Sequence, residues 1–395
     1  MTTKQGKRIA IITERIAPFY RGGAEEVLYR YTEILAKRND VSVFTSFDFG
    51  AASKKIGNVN FNYISRSVKK NNRKGNHSIL GVLSFSFALL THKQLIKDFD
   101  IVILDSIHYF YPKCFLKFLK FGNYKIVTIF HEAWYEYRKH GGVSPILSYL
   151  MGVSIYRLIR YSNKLISVSD PTTNSLIKNY KVRNENIVTI PLGIDYKDII
   201  DRQSHRNFAE RPYDIVFVGR FAAIKRIDDI VEAISILSKK GMNLTVALIG
   251  DGSQMPIIKS KIESLGLRKC FKIFGFLDDS KKYSILSKSK IFILPSEREG
   301  FSLSTLEAMA FGCVPVVGKP KFEEVFGTSH FVKNGVNGLY YPTGDINELA
   351  LTIIKCLKNQ KFANLLSSNA IEISNKYTIS EMEKKICEAL NGVPF

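Results

Sequence analysis

Residues 293–317 read ILPSEREGFSLSTLEAMAFGCVPVV and combine an apolar run, a polar loop, a helical segment and a second apolar run. The two apolar runs are short and rich in β-branched residues, which is typical of strands that are buried in a parallel sheet. Gly300 relaxes the turn before the helix, and Ser302 or Ser304 can cap the helix start. The stretch therefore predicts a strand, a loop, a helix and a strand, which is the repeating unit of an α/β fold.

Similar apolar runs alternate with helical segments along the whole chain. We expect one series of strands at 8–13, 41–46, 100–105, 125–130 and 164–169, and a second series at 214–219, 244–250, 290–294 and 313–317. The polar stretch at 201–214 predicts the domain boundary, because 395 residues exceed the usual size of one domain. We therefore expect two doubly wound domains, at 1–200 and 201–375, followed by a C-terminal helix at 376–395 that can cross back to the N-terminal domain.

The bulk composition is that of a globular protein. Hydrophobic residues make up 45% of the chain and aromatic residues 12%, and no run of about 20 uncharged apolar residues could span a bilayer. The N-terminal residues lack the apolar core and cleavage site of a signal peptide, so we expect a cytoplasmic location. The five cysteines are scattered and have no metal-ligand spacing, which favours a reducing compartment and no zinc.

The charge of the chain is strongly positive, and most of the excess lies in the first half. The 57 basic and 36 acidic residues give a formal net charge of +21, of which residues 1–200 carry +15 and residues 201–395 carry +6. Residues 50–97 contain nine Lys or Arg and no Asp or Glu. Such a field attracts phosphates, anionic lipid or nucleic acid.

Two further segments of the first half favour anionic lipid. Residues 113–125 place three lysines along one side of an apolar segment, which predicts a basic amphipathic helix, and residues 78–92 are apolar. Together with the acid-free stretch, they predict peripheral contact with the inner face of an anionic membrane. No recognised nucleic-acid-binding pattern accompanies the charge, so we expect no nucleic-acid partner.

Two carboxylates lie eight positions apart in the stretch quoted first. Glu299 belongs to the loop and Glu307 to the helix, and their oxygens can accept hydrogen bonds from sugar hydroxyls. The free backbone N–H groups at 301–303 and the helix dipole suit a diphosphate. Alternatively, Ser304 and Glu307 form only a capping box, and Glu299 is a solvated loop charge.

Two cations follow another predicted strand. The segment GRFAAIK (219–225) places Arg220 just past the strand and Lys225 five residues later, before an amphipathic helix. The guanidinium fork and the ammonium point charge together can hold a diphosphate and stabilise it as it leaves. Gly250, in LIGDGSQ (248–254), ends a third strand, although a Gly-Asp-Gly sequence is often only a turn.

The first half offers two further candidates at strand ends. Gly22 and Gly23 precede a helix and allow close approach of a ligand to the backbone, or simply form a flexible loop. His131 directly follows the strand at 125–130, where a neutral imidazole can hydrogen-bond a sugar hydroxyl near a reaction centre.

In this order and spacing, GRFAAIK, IGDGS, FGFLDD and PSEREGFSLSTLEAMAFGCVPVV resemble the C-terminal half of a retaining GT-B glycosyltransferase of family 4, also called group 1. The resemblance implies two Rossmann-like domains facing across a cleft, with an N-terminal acceptor-binding domain and a C-terminal nucleotide-sugar-binding domain. It implies no cofactor and no divalent metal, since the nucleotide-diphosphate sugar is a co-substrate.

The resemblance also implies residue roles. Glu299 would lie near the donor sugar, Glu307 on the ribose, Arg220 and Lys225 on the diphosphate, and the base near Phe276 and Leu277. The catalytic set is then His131, Glu299, Arg220 and Lys225. The donor-binding set is Gly22, Gly23, Arg220, Lys225, Gly250, Phe276, Leu277, Glu299, Gly300, Phe301, Ser302, Leu303 and Glu307.

The function expected from the sequence is transfer of a hexose-type sugar from a nucleotide-diphosphate sugar to a glycan or lipid-linked acceptor. A nucleotide-sugar epimerase of the same two-domain plan is the alternative, and it would act without an acceptor. A basic nucleic-acid-binding protein is a further, less favoured alternative. A dinucleotide oxidoreductase is disfavoured because the first strand-to-helix turn lacks G-x-G-x-x-G.

Overall fold

The computed structural model of the protein describes residues 6–19, 22–47, 53–66, 79–106, 122–133, 135, 145–196, 199 and 208–392. The described chain forms two compact units. The first contains the described residues up to Pro191 and those from Glu383 onward, and the second contains Leu192–Met382.

The first unit is built on one eight-stranded sheet. Its strands are β1 (Arg8–Ile12), β2 (Asp40–Phe47), β3 (Ser53–Ile56), β4 (Val59–Arg66), β5 (Ile101–Asp105), β6 (Lys125–Phe130), β7 (Lys164–Ser167) and β8 (Ile187–Thr189). The spatial order is β3-β4-β2-β1-β5-β6-β7-β8, and every pair is parallel except β3 with β4. The five strands predicted for this half are confirmed.

Helices cover the first sheet. They are α1 (Gly23–Ala36), α2 (Ile79–Thr91), α3 (Pro145–Tyr161) and α4 (Asp170–Tyr180). The apolar face of α1 is buried, with Val27, Leu28 and Tyr31 all at most 3% exposed. The central strand β1 is apolar from Ile9 to Ile12 and has no exposed surface at these positions, because helices pack on both faces of a parallel sheet.

The second unit is built on a six-stranded sheet that is parallel throughout. Its strands are β9 (Tyr213–Val218), β10 (Val246–Ile249), β11 (Phe271–Gly275), β12 (Ser289–Leu294), β13 (Val314–Lys319) and β14 (Leu339–Pro342). The order is β11-β10-β9-β12-β13-β14. The four predicted strands are confirmed here as well, and the carboxyl ends of β9, β10 and β12 lie along one edge of the sheet.

Among the described residues, the second unit carries most of the helices. They are α5 (Ile227–Lys239), α6 (Met255–Ser264), α7 (Asp279–Leu286), α8 (Leu303–Ala310), α9 (Ile346–Lys358), α10 (Gln360–Ser374) and α11 (Ile379–Asn391). Each unit is thus a Rossmann-like layer of parallel strands and helices, as the sequence predicts.

The division between the units lies earlier in the chain than the expected boundary at residue 201. The chain leaves the first unit at Pro191. Ile194 forms a parallel bridge with Thr378, and its N–H donates to the carbonyl of Tyr377 at 2.9 Å, so the segment after Pro191 is bound to the second unit. Residues 201–207 of the polar stretch lie outside the described residues.

The last helix, α11, begins in the second unit and ends in the first. Residues from Glu383 onward belong to the first unit. There Glu383 pairs with Lys37 at 2.5 Å, and Lys7 Nζ donates to the carbonyl of Leu390 at 3.2 Å. The second unit therefore runs from Leu192 to Met382, rather than from 201 to 375.

Candidate functional site

The loop after β12 is held firmly against its neighbours. Glu297 N–H donates to the carbonyl of Ile224 at 2.9 Å, and Glu299 N–H donates to that of Val325 at 2.8 Å. The carbonyl of Glu299 in turn accepts from Gly327 N–H at 2.7 Å. These bonds fix the backbone on both sides of the Glu299 side chain.

Gly327 is required by the close packing of this loop. A Cβ atom at position 327 would lie 1.8 Å from the carbonyl oxygen of Gly300, a distance that no side chain tolerates. Glycine therefore allows the backbone of 326–327 to pair with that of 299–300, and this pairing sets the direction in which Glu299 points.

Glu299 is not a solvated loop charge. Its carboxylate accepts a hydrogen bond from Lys225 Nζ, and the two side chains are only 14% and 20% exposed. Lys225 ends a short 3-10 turn (Ala223–Lys225) that follows β9, the strand beside β12. The fold thus brings together two residues that are 74 positions apart in the sequence, as their predicted roles require.

Arg220 lies two residues beyond β9 and is exposed. Its side chain makes no hydrogen bond or ion pair with any other residue that the structure describes. At this position the guanidinium is available to a ligand at the same edge of the sheet, and its role in binding a diphosphate stays a prediction.

Glu307 is buried in α8 and is held from another helix. Lys282 Nζ lies 3.0 Å from Glu307 Oε1 and 2.8 Å from Oε2, and the Tyr283 hydroxyl donates to Oε1 at 3.3 Å. Lys282 also pairs with Asp279 at 2.8 Å. The capping-box interpretation of Ser304 and Glu307 is therefore wrong, because the carboxylate is turned toward α7 and not toward the helix start.

Ser302 occupies the N-cap of α8 but does not cap it with its side chain. Its backbone is in the left-handed region (φ 80°), and its hydroxyl lies 2.7 Å from that of Thr305. The expected serine cap is thus wrong, because the hydroxyl is engaged by Thr305. The Ser302 side chain leaves the first N–H groups of α8 unbonded, which is the arrangement that suits an anion.

The pKa of Lys282 reflects its surroundings. Burial alone would lower this pKa, but the carboxylates of Glu307 and Asp279 outweigh burial and raise it. The ammonium therefore stays charged at neutral pH, and Glu307 has a permanent cation beside it.

The remaining donor candidates of this unit lie around the same edge. Gly250 has a φ of 134°, and a Cβ there would lie 1.9 Å from the carbonyl oxygen of Gly219, so the backbones beyond β9 and β10 approach closely. Phe276 and Leu277 follow β11, where the Phe276 side chain is 60% exposed and Leu277 is half-buried. The Phe301 ring is buried, and its centre lies 4.8 Å from the centre of the Phe331 ring. Only the backbone of Phe301 could therefore contact a ligand.

In the first unit, His131 lies beside a buried carboxylate. His131 Nε2 is 3.3 Å from Asp105 Oδ1, and Asp105 Oδ2 accepts a hydrogen bond from the Thr13 hydroxyl at 3.1 Å. Thr13, Asp105 and His131 come at the carboxyl ends of the adjacent strands β1, β5 and β6. His131 is only 8% exposed and Asp105 not at all, so the pair is shielded from water.

Gly22 and Gly23 lie at the start of α1. Gly22 is the N-cap with extended backbone, and no atom lies within 4 Å of a Cβ built at Gly23. The space predicted for close ligand approach is therefore present at Gly23, and a role in binding stays a prediction for both glycines. Residues 20–21 of this loop lie outside the described residues.

Sequence reasoning missed Lys282, Tyr283 and Asp105. Lys282 is 25 positions from Glu307, and no local pattern links the two. Asp105 could have been found, because it ends a predicted strand one strand away from His131 and carboxyl ends of parallel strands share an edge.

The described residues contain neither a cluster of metal ligands nor a membrane-spanning helix. No group of three or more His, Cys, Asp or Glu in the described ranges is placed to hold a metal ion. No described helix is long and apolar enough to cross a bilayer.

Comparison with known proteins identifies the family. The sequence model of Glycosyl transferases group 1 matches residues 198–373, and that of Glycosyltransferase Family 4 matches residues 21–198. The chain is 28% identical over 185 residues to poly(glycerol-phosphate) alpha-glucosyltransferase of Bacillus subtilis, covering 47% of this chain and 27% of the relative. It is 30% identical over 175 residues to alpha-monoglucosyldiacylglycerol synthase of Acholeplasma laidlawii, covering 44% of this chain and 42% of that relative. The matched regions thus span less than half of either relative.

The fold is shared over nearly the full length with a solved structure. Sucrose-phosphate synthase from Thermosynechococcus elongatus superposes with a TM-score of 0.78 at 16% identity and covers 98% of both chains. Together, the two family matches run from residue 21 to residue 373, and the two Rossmann-like units agree with them. The chain belongs to the GT-B glycosyltransferases of group 1 and family 4.

Proposed function

We propose that this protein transfers a hexose-type sugar from a nucleotide-diphosphate sugar to a glycan or lipid-linked acceptor, with retention of anomeric configuration and without a metal ion. The observation that carries the proposal is the meeting of Lys225 and Glu299 at the carboxyl ends of β9 and β12, beside the start of α8. The cation and the free backbone N–H groups suit the diphosphate of such a donor, and the carboxylate suits its sugar.

Each part of the donor has a chemical partner in the second unit. Arg220, Lys225 and the first N–H groups of α8 suit the diphosphate, because charge-assisted bonds to phosphate oxygens are the strongest available. Lys225 has three donor hydrogens, so it can keep its bond to Glu299 while it donates to phosphate. Glu299 can then accept from hydroxyls of the sugar, and Glu307 from those of the ribose.

The reaction needs no protein nucleophile. The acceptor hydroxyl attacks the anomeric carbon on the face from which the diphosphate leaves, the bond from that carbon to the phosphate oxygen breaks, and the hydroxyl proton passes to the leaving phosphate. Arg220 and Lys225 stabilise the negative charge that develops on the diphosphate. Retention is supported by the two relatives, whose names both specify an alpha product, since the common nucleotide-hexose donors are themselves alpha-linked.

The acceptor is proposed to be anionic or membrane-bound. The relatives are named for poly(glycerol-phosphate) and for a glycosylated diacylglycerol. The first unit presents matching surfaces, because neither α2 nor α3 contains an acidic residue, and α3 exposes Ile146, Tyr149 and Tyr156. Apolar side chains next to basic ones favour the surface of an anionic membrane. The basic segments at 67–78 and 113–121 lie outside the described residues.

The proposal is tested by a thermal-shift panel of UDP-, GDP- and ADP-sugars. A specific donor raises the unfolding temperature as its concentration exceeds its Kd. We expect Lys225→Ala and Glu307→Ala to abolish the shift. Lys261→Ala is the matched control. Lys261 on α6 forms a similar ion pair with Glu232 on α5, and this pair lies away from the strand ends.

Two outcomes would count against the proposal. No shift with any donor, or shifts that both variants retain, would show that the site is wrongly assigned. A donor that binds but is converted without any acceptor would favour a nucleotide-sugar epimerase.

A further inference from the structure

Lys282 is an unusual residue for its position in the fold. It lies in the first turn of α7, where the helix dipole disfavours a cation, and its side chain is only 13% exposed. A buried ammonium at a helix start is stable only with compensating anions, and Asp279 and Glu307 supply them at 2.8 Å each.

The contacts of Lys282 and Tyr283 treat the two oxygens of Glu307 differently. Oε1 accepts hydrogen bonds from both the Lys282 ammonium and the Tyr283 hydroxyl, which use its two lone pairs. Oε2 lies 2.8 Å from the ammonium, which occupies at most one of its lone pairs, and the Tyr283 hydroxyl contacts Oε1 instead. Oε2 is therefore the oxygen with free acceptor capacity.

The Tyr283 ring holds this arrangement in place. It is 3% exposed, lies 5.2 Å from the ring of Phe311 at the end of α8, and has the Lys282 ammonium 4.8 Å from its centre. The helices α7 and α8 are thereby linked through one aromatic contact and one ion pair, and Glu307 has little freedom to rotate.

We propose that Lys282 and Tyr283 are positioning residues that hold the Glu307 carboxylate and present the free lone pair of Oε2 to a ribose hydroxyl of the donor nucleotide. The inference rests on the proposed function, which itself gives no role to Lys282 or Tyr283. Lys282 also offsets the negative charge of Glu307, which would otherwise repel the diphosphate of the same ligand.

The test compares ribose with deoxyribose ligands. Wild type and variants are titrated with UDP, GDP and ADP, and the nucleotide that binds is then compared with its 2′-deoxy and 3′-deoxy forms. We expect wild type to prefer the ribose form over at least one deoxy form by about tenfold, the size of one hydrogen bond to a charged group. In Lys282→Met this preference should fall to about twofold or less, because Oε2 is no longer held in place.

The ribose preference separates positioning from a merely structural role. A variant that only destabilised the fold would weaken the binding of ribose and deoxyribose ligands equally. Lys281→Met is the matched control, since Lys281 is the adjacent lysine, is 72% exposed and pairs only with Asp278 among the described residues. It should keep the tenfold preference.

Two milder variants keep the test decisive if Lys282→Met does not fold. Lys282→Arg retains the cation and should recover part of the preference, whereas Tyr283→Phe removes only one hydroxyl and should reduce it. A full ribose preference in folded Lys282→Met or Tyr283→Phe overturns the inference, as does equal binding of ribose and deoxyribose forms by wild type. Failure of wild type to bind any nucleoside diphosphate contradicts the proposed function itself and the inference with it.

Discussion

At the scale of single residues, His131 and Asp105 form a pair that is separate from the donor candidates. Replacing Asp105 with Asn keeps the size of the side chain but removes the charge 3.3 Å from His131 Nε2. If His131 acts on a sugar near the reaction centre, kcat should fall about tenfold, equal to roughly 1.4 kcal/mol of barrier, while the donor KM is unchanged. The measurement is acceptor-dependent release of the nucleoside diphosphate.

Asp100→Asn is the control for this prediction. Asp100 lies just before the other end of the same strand, β5, where its carboxylate accepts from Arg8 N–H at 2.7 Å. It should leave kcat unaltered. If Asp105→Asn kept the wild-type kcat, the Asp105 carboxylate would contribute only to the packing of the core.

The sequence predicts the donor candidates of the site better than the residues that support them. Glu299 and Lys225 were identifiable because each follows a recognisable strand, and the structure joins them in one ion pair. Lys282 was not identifiable, because its partner Glu307 lies on a different helix and an isolated lysine carries no pattern. The capping role given to Ser302 failed because its hydroxyl bonds Thr305 instead.

At the scale of elements, α2 and α3 carry the prediction of membrane contact. Ile146 and Tyr149 of α3 are 75% and 71% exposed, so a change to Ser should cost little stability. We expect less of the double variant Ile146→Ser with Tyr149→Ser than of wild type to sediment together with anionic vesicles. Charge reversal at Lys69, Lys70 and Arg73 should have the same effect. Binding should also weaken as salt rises, because lipid attraction to exposed cations is screened.

A control variant lies in the other unit. Leu365→Ser replaces an apolar residue on α10 that is also exposed, at 56%, and this variant should bind vesicles like wild type. Absence of wild-type binding to anionic vesicles at low salt would contradict the membrane proposal.

The strands that the sequence predicts are those with continuous apolar runs, and the strands it misses have other patterns. β3 reads SKKI and is an exposed edge strand, and β4 beside it mixes buried apolar residues with asparagines rather than forming one apolar run. β8 has only three residues. Edge and very short strands bury little apolar surface, so their sequences resemble those of loops.

At the scale of the whole molecule, the candidate residues are distributed unequally between the two units. The donor-binding candidates other than Gly22 and Gly23 all lie within Leu192–Met382, and His131 lies in the first unit. The acid-free stretch and most of the positive charge lie in the first 200 residues. The boundary could not be located from composition, because the backbone bonds of Ile194 that attach the chain to the second unit come before the polar stretch at 201–214.

The central claim is that the second unit holds a nucleotide-diphosphate sugar, and a crystal structure with the donor that stabilises the protein tests it most directly. The account predicts diphosphate oxygens within hydrogen-bonding distance of Lys225 Nζ and the first N–H groups of α8, and a ribose hydroxyl on Glu307. A nucleotide bound elsewhere, with Lys225 and Glu307 making no contact to it, would contradict the account.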